Sequence, residues 1–193
     1  MFKVSVELKN GRKWVKRAMI ATKAIQSQND PEKLEKALKW RLTGKRMAKM
    51  LIAKESPIEE MEFWIDLYVP ERVHTHLVRH KEIGKYVATS RPDIFGHTSI
   101  EDGMRFMSLR INAKRLIEIS EQRLCLKSWM GTVRIWKEVV RQCIELEPML
   151  IYVLHKPCVK CGYCIKTSEG CDFNFIGSYE QLREDINKLG GRK

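Results

Sequence analysis

Cationic and titratable side chains gather in one stretch of the chain, from Val73 to Arg91. The stretch holds two arginines, three histidines and two lysines, and it follows a strand-like run that ends at Pro70. The basic groups therefore fall at the end of a short predicted helix. Guanidinium groups match phosphate oxygens with paired hydrogen bonds, and a neighbouring lysine adds a point charge. The run Arg79-His80-Lys81, together with Arg91, predicts a phosphate clamp, for which a solvated basic surface is the alternative.

A second group of reactive side chains is a cluster of four cysteines late in the sequence. Cys158, Cys161 and Cys164 are separated by two residues each, and Cys171 follows after six more. Four thiolates in so short a segment can hold a tetrahedral zinc ion, with His155 as a spare ligand. Three thiolates at two-residue intervals also resemble an iron–sulfur motif, although the fourth spacing differs, and unligated thiols at a turn are the third interpretation. We favour a structural zinc site.

Composition limits the class of protein. The 193 residues suit a single core, and 36 Lys and Arg against 24 Asp and Glu give a formal net charge of +12. Such a charge favours polyanionic or phosphorylated partners without choosing between nucleotide, nucleic acid and anionic membrane. The sequence has no run of about 18 apolar residues and no signal-peptide pattern in its first residues. We therefore expect a cytoplasmic protein that does not enter a membrane.

Hydrophobic periodicity predicts a mixture of strands and helices. Strands are predicted at residues 2–8 and 61–69, a loop or lid at 81–96, and a helix start at Ser99. Helices are predicted at 14–27, 31–41, 44–54, 71–80, 112–127 and 132–147. These elements suggest a main domain at 1–154, a cysteine-rich segment at 155–175 and an amphipathic helix within 176–193.

Several cysteines and tryptophans outside the cysteine cluster are expected to fill the core. Cys125 and Cys143 fall on apolar stripes of predicted helices, where buried thiols are more common than nucleophiles. The same expectation applies to Trp64, Trp129 and Trp136, which we predict to be core residues rather than platforms for stacking bases.

Two ordered blocks of the sequence resemble the flavin-dependent thymidylate synthases. In the first block, Lys54–Phe63 leads into the 61–69 strand, and a helix ending in Arg79-His80-Lys81 follows. The family has a His-x-Ser/Thr-x-x-Glu-His pattern before this strand and Arg-His-Arg at the end of the helix. In the second block, Asn112-Ala113-Lys114-Arg115 and Arg123 are similar to the family's Asn-Ala-Arg and to the arginine eleven residues after that Asn. The resemblance covers roughly residues 54–172, and two blocks in order are more specific than one tripeptide.

The resemblance implies a fold, a reaction and a set of site residues. The fold is α+β, with a central, mostly antiparallel sheet flanked by helices, and the active sites are assembled between the subunits of a homotetramer. The reaction transfers a methylene group from a reduced folate to C5 of a dUMP-like pyrimidine deoxynucleotide monophosphate and reduces it with flavin hydride from FAD. By position, the FAD contacts are Arg79, His80, Lys81 and Asn112. The nucleotide contacts are His76, Thr89, Arg91 and Arg123, of which Arg123 also activates the pyrimidine.

The sequence departs from the family pattern at several positions. Lys81 replaces the last arginine of Arg-His-Arg, and Val87 stands where a carboxylate helps to bind the nucleotide. A pocket altered in this way suits a hydroxymethylase that makes a modified pyrimidine nucleotide, which is a second interpretation. The family's longer helical insertion after Arg91 is also missing, so Arg105 or Arg110 is a candidate substitute for its phosphate-binding arginine. A zinc-stabilised nucleic-acid-binding protein without catalytic activity is the rival interpretation from another class.

Overall fold

A four-stranded antiparallel sheet organises the fold. The computed structural model describes residues 2–23, 31–81, 83–87, 103–125 and 128–161. Its strands are β1 (Lys3–Asn10), β2 (Glu62–Pro70), β3 (Gly84–Val87) and β4 (Met104–Asn112), and their order across the sheet is β1-β2-β4-β3. All neighbouring strands run antiparallel. This architecture confirms the expected α+β class with an antiparallel sheet flanked by helices.

Helices precede, separate and follow the strands along the described chain. They are α1 (Arg12–Lys23), α2 (Pro31–Lys39), α3 (Gly44–Ala53), α4 (Glu71–Val78), α5 (Ala113–Arg123), α6 (Met130–Leu146) and α7 (Pro157–Cys161). Short 3-10 turns occupy Ser56–Glu60 and Pro148–Tyr152. Each of the six helices predicted with both ends therefore has an observed counterpart, with shifted ends. None of the described helices combines the length and the apolar character that crossing a bilayer requires.

The core lies on one side of the sheet. Strand β2 alternates strictly, with Phe63, Ile65, Leu67 and Val69 fully buried and the residues between them on the opposite face. The buried residues join one apolar cluster with side chains from α3, α5 and α6. Trp136 is completely buried in this cluster, and its indole N–H donates to Ser120 Oγ at 2.9 Å, as a polar group inside a core requires.

Two of the expected core tryptophans do not lie in the core. Trp64 is only half-buried, because the alternation of β2 places it on the face opposite to Phe63. Trp129 is half-buried just before α6 and packs against the cluster from its rim. The two thiols expected in the core are buried as predicted, and burial raises the pKa of Cys143 to about 12, which makes it inert as a nucleophile at neutral pH.

The free edge of β1 is covered by a side chain of α6. Gln142 accepts a hydrogen bond from the Val6 N–H at 3.0 Å and donates to the Val4 carbonyl at 3.1 Å. A strand edge with unpaired backbone groups is a template for unwanted strand pairing, and this amide occupies it. The contact also fixes α6 relative to the sheet.

Strands β3 and β4 are the main departure from the predicted elements. Strand β3 lies inside the region predicted as a loop, and β4 was not predicted. In β4 the residues alternate between the core face and the opposite face, but β3 is only four residues long and takes its conformation from pairing with β4. A Cβ at Gly84 would lie 3.0 Å from Cβ of Arg110, so glycine permits this close approach of the two strands. The predicted helix start at Ser99 lies outside the described residues.

Candidate functional site

Helix α4 presents two polar faces to the rest of the protein. Arg72, His76 and Arg79 recur at intervals of four and three residues and share one face, directed towards α5 and α6. Glu71 and His74 lie on another face, beside β4. Val73 and Leu77 fill the buried edge between them. The helix thus separates the basic face with Arg72, His76 and Arg79 from the face with Glu71 and His74.

The guanidinium of Arg123, at the end of α5, joins the predicted site residues. Its Nε donates to Nε2 of His80 at 2.8 Å, and its Nη2 donates to the backbone carbonyl of His76 at 2.8 Å. These two bonds fix the plane of the guanidinium and leave N–H groups available to an acceptor. His80 and Arg123 are 43 residues apart in the sequence, so the two sequence blocks meet in this contact.

The histidine in this contact is neutral. Burial, followed by the charges of Arg123, Arg115 and Lys85, lowers the pKa of His80 from 6.5 to about 4. Because Nε2 accepts a hydrogen bond from Arg123, the ring proton resides on Nδ1. Burial and the charge of Arg79 also lower the pKa of Arg123, although a guanidinium remains protonated at neutral pH. The cluster is therefore a site of positive charge in which no carboxylate of the described residues contacts Arg123 directly.

The end of α4 and the residues that follow it are held in place by cationic side chains that donate hydrogen bonds to backbone carbonyl groups. Arg115 donates from Nε and Nη2 to the carbonyl of Lys81, at 3.1 and 2.9 Å. Lys85 Nζ donates to the carbonyl of Val78 at 2.7 Å. Asn112 caps the helix that carries Arg115, because its side-chain oxygen accepts from the Arg115 N–H at 2.9 Å. The cap and the two cations together position Arg79, His80 and Lys81.

An aromatic ring borders the cluster on the α6 side. Trp129 meets the ring of His76 edge-on with centroids 6.1 Å apart, and the Arg72 guanidinium lies over the Trp129 ring at 4.8 Å. A Cβ at Gly131 would lie 2.5 Å from two carbons of this ring, so the indole needs a glycine beneath it. Thr132 is fully buried, and its hydroxyl lies 3.0 Å from Nδ1 of His76. The side chain of His76 is therefore fixed by both a ring contact and a hydrogen bond.

Where the other polar face of α4 meets β4, two buried nitrogen atoms have no hydrogen-bond partner among the described residues. Arg105 donates from Nη2 to Glu71 at 2.8 Å, but its Nε has no hydrogen-bond partner. Nε2 of His74 has none either, and burial together with the charge of Arg105 lowers the pKa of His74. His74 is thus a half-buried residue. The second candidate phosphate ligand, Arg110, lies on the far side of β4 and pairs with Glu62 at 2.5 Å.

The residues that the resemblance assigned to FAD are only partly suited to it. Arg79 and Lys81 are exposed cations at the end of α4, and they fit the phosphates of a dinucleotide. His80 can donate from Nδ1, whereas the oxygen of Asn112 is already committed to the helix cap. The fit therefore holds for the anionic part of the cofactor, and Asn112 has a structural role that its position in the sequence did not reveal.

Several predicted site residues lie outside the described part of the chain. They are Thr89 and Arg91 of the nucleotide site, and Cys164 and Cys171 of the metal site. Cys158 is buried in α7, which ends at Cys161. Among the described residues there is no group of three or more side chains placed to bind a metal ion. Both ring nitrogens of His155 face backbone carbonyls, at 2.9 and 3.1 Å, so this residue does not present itself as the spare ligand.

Some residues that complete the site were missed by sequence reasoning. The sequence did not indicate a functional role for Thr132, because a single threonine at the start of a helix is common and usually has a structural role. Trp129 and Gly131 are two residues apart, and an aromatic residue next to a glycine at a helix start is a weak indication of a packed ring. Arg115 was visible as part of the Asn112-Ala113-Lys114-Arg115 block, but its contact with the Lys81 carbonyl was not predicted.

The chain was compared with known protein families, curated proteins and solved structures. No protein-family model matches the sequence, and no curated protein matches it. Among solved structures, the chain is similar to the crystal structure of a UMP/dUMP methylase, PolB from Streptomyces cacaoi, bound with 5-Br dUMP. The TM-score is 0.54 at 11% sequence identity, over 76% of this chain and 92% of that chain. The likeness is one of fold.

Proposed function

We propose that this protein transfers a one-carbon unit to C5 of a pyrimidine deoxynucleotide monophosphate, with dUMP as the model substrate. The observation that carries the proposal is the Arg123 guanidinium, oriented by His80 and the His76 carbonyl within a cluster of cations. The fold shared with a structure described as a UMP/dUMP methylase supports this choice of substrate class.

Arg123 supplies the electrostatic part of the reaction in this proposal. A pyrimidine becomes nucleophilic at C5 when negative charge develops on the ring and its exocyclic oxygens. A guanidinium with two of its N–H groups already committed to His80 and His76 offers the others at a fixed angle, which stabilises that charge without reorganisation. Neutral His80 orients the guanidinium without cancelling its charge.

The phosphate of the nucleotide and the cofactor phosphates both require cations nearby. Exposed Arg79 and Lys81 are suited to FAD, and His76 with its Trp129 contact borders the nucleotide side. When bound, FAD supplies the hydride that reduces a methylene group donated by a reduced folate. Thr89 and Arg91 belong to the proposed nucleotide site by resemblance.

The experiment that tests the proposal is conversion of dUMP by purified protein supplied with FAD, a reductant and methylenetetrahydrofolate. We expect a methylated product, and we expect Arg123→Lys to lower kcat/KM by about 10²-fold or more because a lysine cannot make both orienting bonds. Arg141→Lys, an exposed arginine of α6 paired with Glu138 and Glu145, is the matched control and should retain activity. Protein that binds neither FAD nor a deoxynucleotide monophosphate would contradict the proposal.

A hydroxymethylated product is the second candidate outcome. Val87 is exposed at the end of β3, at the position where the family has a carboxylate. Loss of that carboxylate changes the polar lining of the nucleotide pocket, and water could then trap the transferred carbon before reduction. Mass analysis of the product separates the two reactions, because hydroxymethyl and methyl groups differ by one oxygen atom.

The cysteine-rich segment is proposed to hold a structural zinc ion. The basis is the spacing of Cys158, Cys161, Cys164 and Cys171, of which the first lies buried in α7. We expect about one zinc per chain in purified protein and a clear loss of zinc in Cys161→Ser. Equal metal content in the two proteins would exclude Cys161 as a ligand, and bound iron with sulfide would favour the cluster instead.

A further inference from the structure

The positive charge of the chain is concentrated in one part of the sequence, from the start of α1 into α3. Residues 12–49 contain 12 Lys and Arg against three Asp and Glu, so they supply +9 of the net charge of +12. The remaining 155 residues contain 24 Lys and Arg against 21 Asp and Glu and are close to neutral. A strong local field of one sign attracts ligands that carry many charges of the opposite sign.

Helices α1 and α3 bury their apolar residues and leave cations on the surface. Val15 and Met19 of α1 and Met47, Met50 and Leu51 of α3 belong to the core cluster. The exposed cations of these helices and of the residues between α2 and α3 are Lys13, Arg17, Arg41, Lys45 and Lys49. None of these five cations forms an ion pair with a carboxylate in the part of the chain that the structure describes. Their charge is therefore available to an anionic ligand.

Cations converge on a cleft between α1 and the residues that follow α2. The cleft has a volume of about 220 Å³ and is lined by Leu42 and by four cations, Arg12, Lys13, Lys16 and Arg41. Its shape is fixed, because Lys16 Nζ donates to the carbonyl of Trp40 at 3.0 Å and Arg12 pairs with Glu147 at 2.6 Å. Like charges held this close repel one another, and a bound phosphate would offset that repulsion.

Two tryptophans lie next to the cations of this cleft. Trp14 follows Lys13, Trp40 precedes Arg41, and each indole is 41% exposed. The guanidinium of Arg17 lies over the Trp14 ring, 5.5 Å from its centroid. An indole stacks on any base, and a single strand offers unpaired bases for this contact. We refer to Lys13, Trp14, Arg17, Trp40 and Arg41 as the basic patch.

The apolar residues of the same helices decide between nucleic acid and a membrane surface. A helix that lies on a membrane places a continuous apolar face in the lipid. The apolar residues of α1 and α3, among them Val15, Met19 and Met50, are already buried in the core. The basic patch instead places two indoles among cations, and this combination matches the bases and phosphates of a single strand.

We propose that the basic patch binds single-stranded nucleic acid, with Lys13, Arg17 and Arg41 on phosphates and the two indoles against bases. This binding activity is additional to the proposed reaction and does not depend on it, because no residue of the basic patch belongs to the Arg123 cluster. A strand on the basic patch and a nucleotide at Arg123 are held by different residues, so each interaction can be removed without the other.

The test is fluorescence anisotropy of a labelled thymidine oligonucleotide, titrated with the full chain at several salt concentrations. A surface that contacts three phosphates should give a log–log slope of about −2. Two double variants each remove one lysine and one arginine from exposed positions, and so change the net charge equally. They are Lys13→Ala with Arg41→Ala in the basic patch, and Lys137→Ala with Arg134→Ala on α6 as the matched control.

The two double variants should differ in affinity although their net charges are the same. We expect the basic-patch variant to weaken binding by about tenfold or more at low salt, and to make the slope shallower by about 1.4, since two phosphate contacts are lost. The control should bind as the wild type does.

A third variant, Trp14→Leu, tests the stacking contact. Leucine retains apolar bulk at this position, so circular dichroism should show unchanged folding. We expect a lower affinity at an unchanged salt slope, because stacking on a base releases no counterions. A duplex of the same length should bind more weakly than the single strand, since its bases are already paired.

Other outcomes overturn the proposal. Wild-type protein that does not bind the oligonucleotide would do so, as would equal losses of affinity in the two double variants, which would mean that net charge alone matters. If the wild type binds vesicles of anionic lipid and no oligonucleotide, and Lys13→Ala with Arg41→Ala abolishes that binding, the basic patch is a lipid surface instead. Activity on dUMP and its dependence on Arg123 are measured separately, so failure of this proposal and failure of the proposed reaction are distinguishable.

Discussion

Arg123 donates its Nε proton to a histidine, whereas arginine side chains are more often paired with carboxylates. The partner can accept only while it is neutral, so the contact depends on the depressed pKa of His80. Protonation of His80 would place two cations within hydrogen-bonding distance. The contact between Arg123 and His80 is therefore sensitive to acid.

The first prediction concerns the stability of the protein in acid. Between pH 6.5 and about 4 the unfolded chain binds a proton on His80 that the native chain does not bind. The free energy of unfolding should consequently fall as the pH falls through this range, and His80→Asn should reduce that fall. Urea unfolding at a series of pH values measures the effect, and the His80 imidazole can be titrated directly by NMR. An imidazole that titrates near 6.5 in the native protein would contradict the prediction.

At the scale of single residues, the sequence revealed the charged members of the site but not the groups that orient them. Arg79, His80 and Arg123 stood out through motif order, and the last two meet in the structure. Thr132 and Trp129 did not stand out, because their role arises only when α6 is packed beside α4. The local sequence around a threonine or a tryptophan does not show which helix will contact its side chain.

Among the elements, the first turn of α6 affects the position of the Trp129 ring through Gly131. Replacing a glycine by alanine in the first turns of a helix normally stabilises a protein by about 1 kcal/mol or less. At Gly131 the new Cβ would lie 2.5 Å from two carbons of Trp129 and must displace the ring from His76 and Arg72.

We therefore predict that Gly131→Ala lowers both the thermal stability and the affinity for nucleotide. The same substitution made in a Trp129→Ala background should be neutral or stabilising, since the clash is gone. Thermal unfolding and titration with dUMP, performed on all four combinations, measure the coupling. If Gly131→Ala stabilises the protein in both backgrounds, the indole is not held where we describe it.

A third prediction separates the two roles considered for Asn112. As the cap of α5, its side-chain oxygen can be replaced by that of aspartate, so Asn112→Asp should leave stability nearly unchanged. Asn112→Ala should cost about 1 kcal/mol, because the Arg115 N–H then loses its acceptor. Chemical unfolding of the three proteins measures this difference. A flavin contact through the amide nitrogen would show itself separately, as lost FAD affinity in Asn112→Asp at unchanged stability.

Comparison of the observed helices and strands with the predicted ones shows which elements sequence patterns can predict. Helices with long apolar stripes and strong ends, such as α2, α5 and α6, were predicted within a few residues, as was the alternating strand β2. Strand β3 has four residues and little pattern of its own, and it exists because β4 lies beside it. A prediction from local sequence contains no information on which distant segments will pair.

For the molecule as a whole, a net charge of +12 is distributed unevenly. Among the described residues, Arg123 has no carboxylate in hydrogen-bonding contact, whereas the sheet face opposite to the core carries Glu7, Glu62 and Asp66 beside Lys3 and Arg110. The Arg123 cluster thus suits an anionic ligand better than the sheet face does. The alternation of the strands creates this division, because each strand sends successive side chains to opposite faces.

This division leads to a prediction that distinguishes a nucleotide enzyme from a nucleic-acid-binding protein. A nucleoside monophosphate carries about two negative charges, so its affinity should depend weakly on salt, with a log–log slope no steeper than about −2. A single strand that contacts six phosphates would give a slope of about −4. Equilibrium binding of dUMP and of a thymidine oligonucleotide, each measured between low and physiological salt, supplies the two slopes. We expect measurable, weakly salt-dependent binding of dUMP that Arg123→Lys reduces. Tight oligonucleotide binding with a steep slope, in a protein that does not bind dUMP, would instead mean that the positive charge of this protein serves nucleic acid alone.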